Sequence, residues 1–284
     1  MTATRRSLAR AFALSALFGD VAAGQSWRTI DVSRQLQDSS EYSVRVRYPL
    51  GRLYLRSTTD PVLYSMQLRY DENRMRPLHR YDADARRVTL GFDGDDFGAR
   101  RFKRTLDQTE LNLVLTDAAP LDLDLEIGAA EARLDVGGMA ISRLRVETGA
   151  ADARLDFSSP NKAKMRRLDV QLGAAGFVIR NLGNARVAEI HVEGGVGKVD
   201  LDFGGTLDDD VNVEANVAIG KLALRLPRDV GIRVELQKVL AGFDHPGLVK
   251  RGGAYYSENW DDAKVRMRVR AETVFGAVEI ERDR

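Results

Sequence analysis

The sequence predicts an all-β protein built from stacked repeats of two strands each, a β-solenoid. Three observations lead to this prediction. Similar segments recur about every twenty residues, apolar and polar residues alternate within each segment, and each segment begins at glycine or alanine. A two-sheet β-sandwich with internal repeats is the alternative, since two strands per repeat also suit two facing sheets.

The repeats are clearest in the middle of the chain. A unit of this kind buries its apolar face only by packing on its neighbours, so the similarity indicates a stack. Five segments align, with starts separated by 21, 24, 22 and 23 positions: GAAEARLDV at 128–136, GAADARLDF at 149–157, GAAGFVIRN at 173–181, GVGKVDLDF at 195–203 and AIGKLALRL at 218–226.

Equal positions of the aligned segments form columns. The outward columns mix acidic and basic residues, which is typical of a solvated face. A column that admits only the smallest residues predicts a tight corner. The first inward column is Leu134, Leu155, Ile179, Leu201 and Leu224; the second is Val136, Phe157, Asn181, Phe203 and Leu226; the corner column is Ala130, Ala151, Ala175, Gly197 and Gly220.

Further strands are predicted before the corners and in the N-terminal part. A second alternating strand precedes each corner, as in LDLDLEIG at 121–128. Residues 71–86 are polar and predict a connection. Three N-terminal segments resemble a corner or strands: PLGRLYLRST at 49–58, VLYSMQLRY at 62–70 and RVTLGF at 87–92.

We expect three parts in the chain. Residues 1–24 form a signal peptide, residues 25–115 form an N-terminal β domain that caps the repeats, and residues 116–284 form the repeat domain. The signal prediction rests on the basic stretch TRRSLAR, the apolar run AFALSALF and the small residues of VAAGQS; an N-terminal helix of the mature fold is the alternative. It implies export to the periplasm or the cell surface. No later run approaches the ~20 apolar residues of a membrane helix.

Composition and motifs favour a protein without enzymatic activity, cofactor or metal. Basic and acidic residues nearly cancel, 43 against 42, which gives no general attraction to nucleic acid. The chain lacks cysteine, and His79, His191 and His245 are not spaced as metal ligands. Asp200 and Asp202 share one face, but basic residues beside them neutralise their charge. The two carboxylates therefore do not form the acid–base pair that catalysis requires.

Two segments are candidates for ligand binding. AYYSENW at 254–260 contains Tyr255, Tyr256 and Trp260, and aromatic rings on an exposed face stack on sugars; burial of these rings at the last repeat is the alternative. A second candidate is a Ca²⁺ loop with turn formation as the alternative, because it lacks the spacing of a hand-type site. Its carboxylates are Asp93, Asp95 and Asp96.

Three stretches carry a resemblance to a known family: LGRLYLRS at 50–57, the core at 121–157 and the ending at 247–281. Together they are similar to the toast-rack family of bacterial proteins, which is related to cell-wall-active antibiotic response proteins and to proteins named as adhesins. The resemblance implies a stacked β fold and a role at the cell envelope. It brings no catalytic residues with it.

From these observations we expect a scaffold or adhesin-like binding module whose partner is an envelope protein or a cell-surface polysaccharide. The first alternative is a soluble regulatory partner of an envelope-stress sensor or membrane protein, bound through a strand edge or the aromatic C-terminal end. The second alternative is a polysaccharide-active enzyme that would use Asp200 and Asp202.

Overall fold

The computed structural model describes residues 26–93 and 108–282, and strands account for 71% of them. The all-β prediction is confirmed. Within these ranges there is no α-helix, only one short 3-10 turn at Leu182–Ala185, and nothing helical has the length and hydropathy of a membrane span. The signal-peptide prediction concerns residues 1–24, which lie outside the described ranges.

The described part of the chain forms sixteen strands joined in one hydrogen-bonded network. Seven of them are 14 to 17 residues long. The strands are β1 (Trp27–Gln35), β2 (Tyr42–Thr58), β3 (Val62–Asp71), β4 (Pro77–Asp82), β5 (Arg87–Phe92), β6 (Glu110–Thr116), β7 (Pro120–Asp135), β8 (Ala140–Thr148), β9 (Asp152–Asp156), β10 (Met165–Arg180), β11 (Val187–Asp202), β12 (Val211–Leu226), β13 (Gly231–Asp244), β14 (Leu248–Arg251), β15 (Ala254–Ser257) and β16 (Arg266–Arg282).

Each long strand forms one rung with a corner in its middle. In β7 the buried residues fall at odd positions from 121 to 127 and at even positions from 130 to 134. A straight strand keeps alternate residues on one face, so the switch shows that the chain turns while both halves keep their apolar side toward one interior. We call the half before the corner the first arm and the half after it the second arm.

The rungs stack in parallel and in register. β2 pairs with β7, β7 with the rung made of β8 and β9, and the series continues through β10, β11 and β12. Immunoglobulin-type sandwiches differ, since their strands are antiparallel. The predicted first inward column is the observed order of cross-strand neighbours: Leu134, Leu155, Ile179, Leu201 and Leu224.

Small residues mark the corner, as predicted. Gly197, Gly220 and Gly276 have positive φ angles of 144°, 138° and 134°, a region that favours glycine. A Cβ atom on Gly220 would lie 1.8 Å from the carbonyl oxygen of Gly197, and one on Gly276 would lie 1.7 Å from that of Gly220. The corners of β11, β12 and β16 are therefore so close that only a hydrogen atom fits between them.

The polar residue in the second inward column ends its rung. Asn181 has a φ of 57°, a left-handed conformation that asparagine tolerates better than most residues. Its side-chain amide donates to Asp156 Oδ1 at 2.7 Å. Leu182, the next residue, is buried, so it supplies the apolar side chain that Asn181 does not.

The last rungs do not follow the order of the chain. β16 lies between β12 and β13 and is parallel to both, so that Ile219 neighbours Phe275 and Phe275 neighbours Leu240. The hairpin of β14 and β15 pairs with the start of β13. The sequence predicts a final corner and strand at 272–281, and it does not predict this exchange of positions.

Antiparallel strands lie at the N-terminal end of the stack. β5 and β6 pair in parallel with the two arms of β2, and β1, β3 and β4 add antiparallel strands. The predicted strands at 62–70 and 87–92 are β3 and β5. The predicted polar connection contains β4. The sequence pattern does not indicate this strand, because most of its residues are exposed or half-exposed. The boundary at residue 115 falls within β6, and the division into domains stays a prediction.

One hydrophobic core runs through the whole stack, with contributions from every rung between β2 and β13. Asn161 is a buried polar exception. Its Oδ1 accepts from the backbone N–H of Ile141 at 2.8 Å, and its Nδ2 donates to the carbonyl oxygens of Ile141 at 2.8 Å and Ala185 at 3.2 Å. This side chain therefore links the turns of consecutive rungs.

Candidate interaction surface

The three aromatic residues singled out in the sequence lie in two places. Tyr255 and Tyr256 are neighbours in β15, so their side chains leave opposite faces of the strand. The Tyr255 ring packs against Phe243 at 4.9 Å and against His245 at 4.7 Å between centroids. The Tyr256 ring packs edge-on against Trp260 at 5.6 Å. The structure therefore joins Tyr256 with Trp260 and separates Tyr255 from both.

Arginines surround the Tyr256–Trp260 pair. The Arg251 guanidinium lies 4.8 Å from the Tyr256 centroid, and that of Arg266 lies 5.8 Å from the Trp260 centroid. Arg233 Nε donates to the Tyr256 hydroxyl at 3.1 Å, and this hydrogen bond raises the pKa of the Arg233 guanidinium. Both rings are half-buried. The arginine side chains thus lie near the ring faces on which a sugar would stack. Sugar binding by these residues stays a prediction.

The outer face of the first arms carries charges of alternating sign. Arg45 Nη2 lies 2.9 Å from Asp124 Oδ2, and His191 Nδ1 lies 3.4 Å from Glu214 Oε2. Opposite charges on neighbouring strands stabilise the pairing, and each carboxylate of this column has an arginine on a neighbouring strand. In order along the stack, the column is Arg45, Asp124, Arg145, Asp169, His191, Glu214, Arg270 and Glu235.

The two carboxylates considered for glycan hydrolysis are paired with cations. Lys198 Nζ lies 2.7 Å from Asp200 Oδ2, and Arg225 Nη1 lies 3.6 Å from Asp202 Oδ2. In the part of the chain that the structure describes, no three His, Cys, Asp or Glu side chains are placed to hold a metal ion. Of the candidate Ca²⁺ loop only Asp93 is described, and positions 95 and 96 lie outside the described residues.

The corners of the later rungs expose a line of apolar side chains, which we call the corner ridge. Val196, Ile219, Phe275 and Leu240 are in-register neighbours on β11, β12, β16 and β13. They are 52%, 48%, 48% and 67% exposed, and Val239 beside Leu240 is 71% exposed. These five residues form the ridge, and the insertion of β16 between β12 and β13 makes it continuous.

Sequence reasoning missed the ridge although the signal was present. The second residue of the aligned segments is alanine in the first three copies, whereas it is Val196 and Ile219 in the last two. An apolar residue next to a corner is easily assigned to the core, because alternation changes phase there. At this second position the side chains become larger toward the C-terminal rungs. This change is the feature of the sequence that indicates an exposed apolar surface.

A groove runs beside the ridge across five rungs. It has a volume of about 630 Å³, and residues 147–148, 171–173, 193–195, 216–218 and 272–274 line it. None of these lining residues is basic. A second groove shares Glu147 and Thr148 with the first and continues toward β2. One cross-strand column follows the main groove: Glu147, Gln171, Glu193, Asn216 and Glu272.

Comparison with solved structures finds similar chains at low sequence identity. A candidate cell adhesion protein from Clostridium sporogenes is 18% identical with a TM-score of 0.48, over 91% of this chain and 100% of the other. A candidate adhesin from Bacteroides fragilis is 9% identical with a TM-score of 0.36, over 90% and 98%. A candidate adhesin from Parabacteroides merdae is 12% identical with a TM-score of 0.31, over 91% and 96%.

The comparison with protein families is more direct. No curated protein matches the sequence. The family model described as the N-terminal domain of toast_rack matches residues 22–180, which is more than half of the chain and includes β1 to β10. The match agrees with the resemblance that the repeats and corner glycines carry in the sequence. The chain therefore belongs to the toast-rack family.

Proposed function

We propose that this chain is a non-enzymatic, exported protein of the bacterial cell envelope, a β-solenoid that acts as a scaffold or an adhesin-like binding module. The corner ridge carries the proposal, since it exposes four apolar side chains in one line with Val239 beside them. Contiguous exposed apolar surface marks interaction sites in soluble proteins. The signal-type N-terminus and the toast-rack family support an envelope location.

The charged faces support binding rather than catalysis. A general acid in glycan hydrolysis is a carboxyl group whose environment keeps it protonated near neutral pH. Asp200 is half-exposed and forms an ion pair with Lys198 Nζ at 2.7 Å, so it lies on a solvated face rather than in an enclosed apolar site. In the alternating column of the first arms, Asp124 pairs in the same way with Arg45 of the neighbouring rung. These side chains stabilise neighbouring rungs by cross-strand pairing.

Cell fractionation tests the location. We expect the mature chain, shortened by about 24 residues, in the periplasm or on the cell surface. Protease treatment of intact cells separates the two locations, because only a surface protein is digested. An uncleaved chain in the cytoplasm would contradict the proposal.

Photo-crosslinking tests the binding surface. A photoreactive amino acid at Phe275 should attach an envelope component, and the Ile219→Asp substitution should abolish that product. The same probe at Val249, which is 62% exposed but lies off the ridge, is the matched control. Equal products from both positions would show that the ridge has no special role.

An open strand edge supports a second function, that of a regulatory partner. The second arm of β13 pairs with β16 on one side, and no described strand pairs with its other side. Open edges accept a strand from another protein. However, Lys238 Nζ donates to the Ala241 carbonyl oxygen at 3.0 Å and covers part of this edge, as lysines on protected edges do. We therefore place the scaffold or adhesin-like function first.

A further inference from the structure

We propose that the groove beside the corner ridge binds an extended cationic peptide segment in which basic and apolar side chains alternate. The inference rests on the binding role proposed above and specifies the chemistry of the partner. Three features of the groove support it: its charge, its amide side chains and the ridge along one side.

The groove differs from the outer face of the first arms, because its lining residues carry negative charge only. Three carboxylates line it, and the lining includes no cation. Glu147 forms an ion pair with Arg145 of its own strand. Glu193 and Glu272 have no ion pair with any described residue, in contrast to the alternating column two residues earlier on the same arms. A cleft lined by one sign of charge attracts and orients ligands of the opposite sign.

Amide side chains alternate with these carboxylates along the stack. Strands are ~4.8 Å apart, so Glu193 on β11 and Glu272 on β16 lie about 10 Å apart with Asn216 of β12 between them. Gln171 lies between Glu147 and Glu193, and Gln237 follows Glu272 at the far end of the column. Asparagine and glutamine both donate and accept hydrogen bonds, which suits the N–H and C=O groups of an extended peptide.

The corner ridge follows the same axis as the groove. Each of the four in-register ridge residues stands three positions after a residue of the acidic and amide column, as Val196 does after Glu193 and Phe275 after Glu272. A peptide in the groove therefore has carboxylates on one side and apolar side chains on the other. This arrangement selects a partner that is amphipathic as well as cationic.

Fluorescence polarisation tests the proposal with a labelled peptide of alternating lysine and leucine, about ten residues long. We expect saturable binding to the purified mature protein. The Glu193→Gln/Glu272→Gln variant should bind about tenfold more weakly, because it removes both unpaired carboxylates without changing side-chain shape. High salt should also weaken binding, because it screens the attraction between the carboxylates and the lysines of the peptide. The Asp208→Asn/Glu258→Gln variant removes two exposed carboxylates outside the groove and should bind as the unchanged protein does.

Several results would overturn the proposal. These are unchanged binding by the groove variant, equal losses in the control variant, equally tight binding of a glutamate–leucine peptide, or displacement of the probe by a second copy of this chain. Circular dichroism establishes that each variant is folded. If peptide binding fails while crosslinking at Phe275 persists, the partner chemistry is wrong and the proposed function stands. Loss of both results means that the proposed function also fails.

Discussion

The Gly220→Ala substitution should lower the free energy of unfolding by about 2–6 kcal/mol, because it adds two costs. Gly220 has a φ of 138°, and holding another residue in such a region costs ~1–3 kcal/mol. The new Cβ would lie 1.8 Å from the Gly197 carbonyl oxygen. Carbon–oxygen contacts need ~3.3 Å, so the rungs must separate by about 1.5 Å. Overpacking of this kind costs a further ~1–3 kcal/mol.

Gly252→Ala is the matched control for this prediction. Gly252 also has a positive φ, 60°, but nothing lies within 4 Å of its added Cβ. It therefore carries only the conformational cost of about 1–2 kcal/mol. Gly253→Ala has neither cost and should change little. Urea denaturation followed by circular dichroism measures all three, and equal losses for Gly220→Ala and Gly252→Ala would refute the close approach of the corners.

Three further predictions concern single side chains. Asn161→Ala leaves the buried backbone groups of Ile141 without partners and should cost about 2–4 kcal/mol in urea denaturation; a loss below 1 kcal/mol would show that water replaces the amide. Burial raises the pKa of Tyr48 above its usual range, so its contribution to stability is complete below about pH 10 and is lost as pH rises further. The loss of stability with rising pH should therefore be smaller in Tyr48→Phe than in the unchanged protein. Identical pH profiles of the two proteins would contradict the assignment of this loss to Tyr48. His191→Arg places a permanent cation between Asp169 and Glu214 and should add about 0.2–1 kcal/mol at low salt, an increase that high salt should remove.

Much of the fold can be predicted from period-two alternation and from the repeat. A one-residue shift of register would turn every apolar side chain outward, so the column from Leu134 to Leu224 is fixed by the pattern alone. The order of the last rungs cannot be predicted in this way. Its similarity to the repeats shows that 272–281 is another rung, but it does not show which rungs lie beside it. The hairpin of β14 and β15, which precedes β16 in the chain, lacks the repeat pattern.

The candidate surface was less predictable than the fold. Tyr255, Tyr256 and Trp260 are close in sequence, but neighbours on one strand point apart, so proximity in sequence does not make one site. The ridge depends on side chains from four rungs, and Phe275 joins it only through the exchanged position of β16. The groove depends on the corner geometry, which sets its acidic column beside the ridge.

The rung order that makes the corner ridge continuous can be tested with cysteine pairs, since the natural chain has none. Disulfides require Cα atoms less than ~7 Å apart, which neighbouring rungs satisfy and rungs two apart do not. Ile219→Cys with Phe275→Cys, and Phe275→Cys with Leu240→Cys, should each form a disulfide under mild oxidation. Ile219→Cys with Leu240→Cys should remain reduced. A disulfide in that third pair, with none in the first two, would place β13 beside β12 and contradict the account.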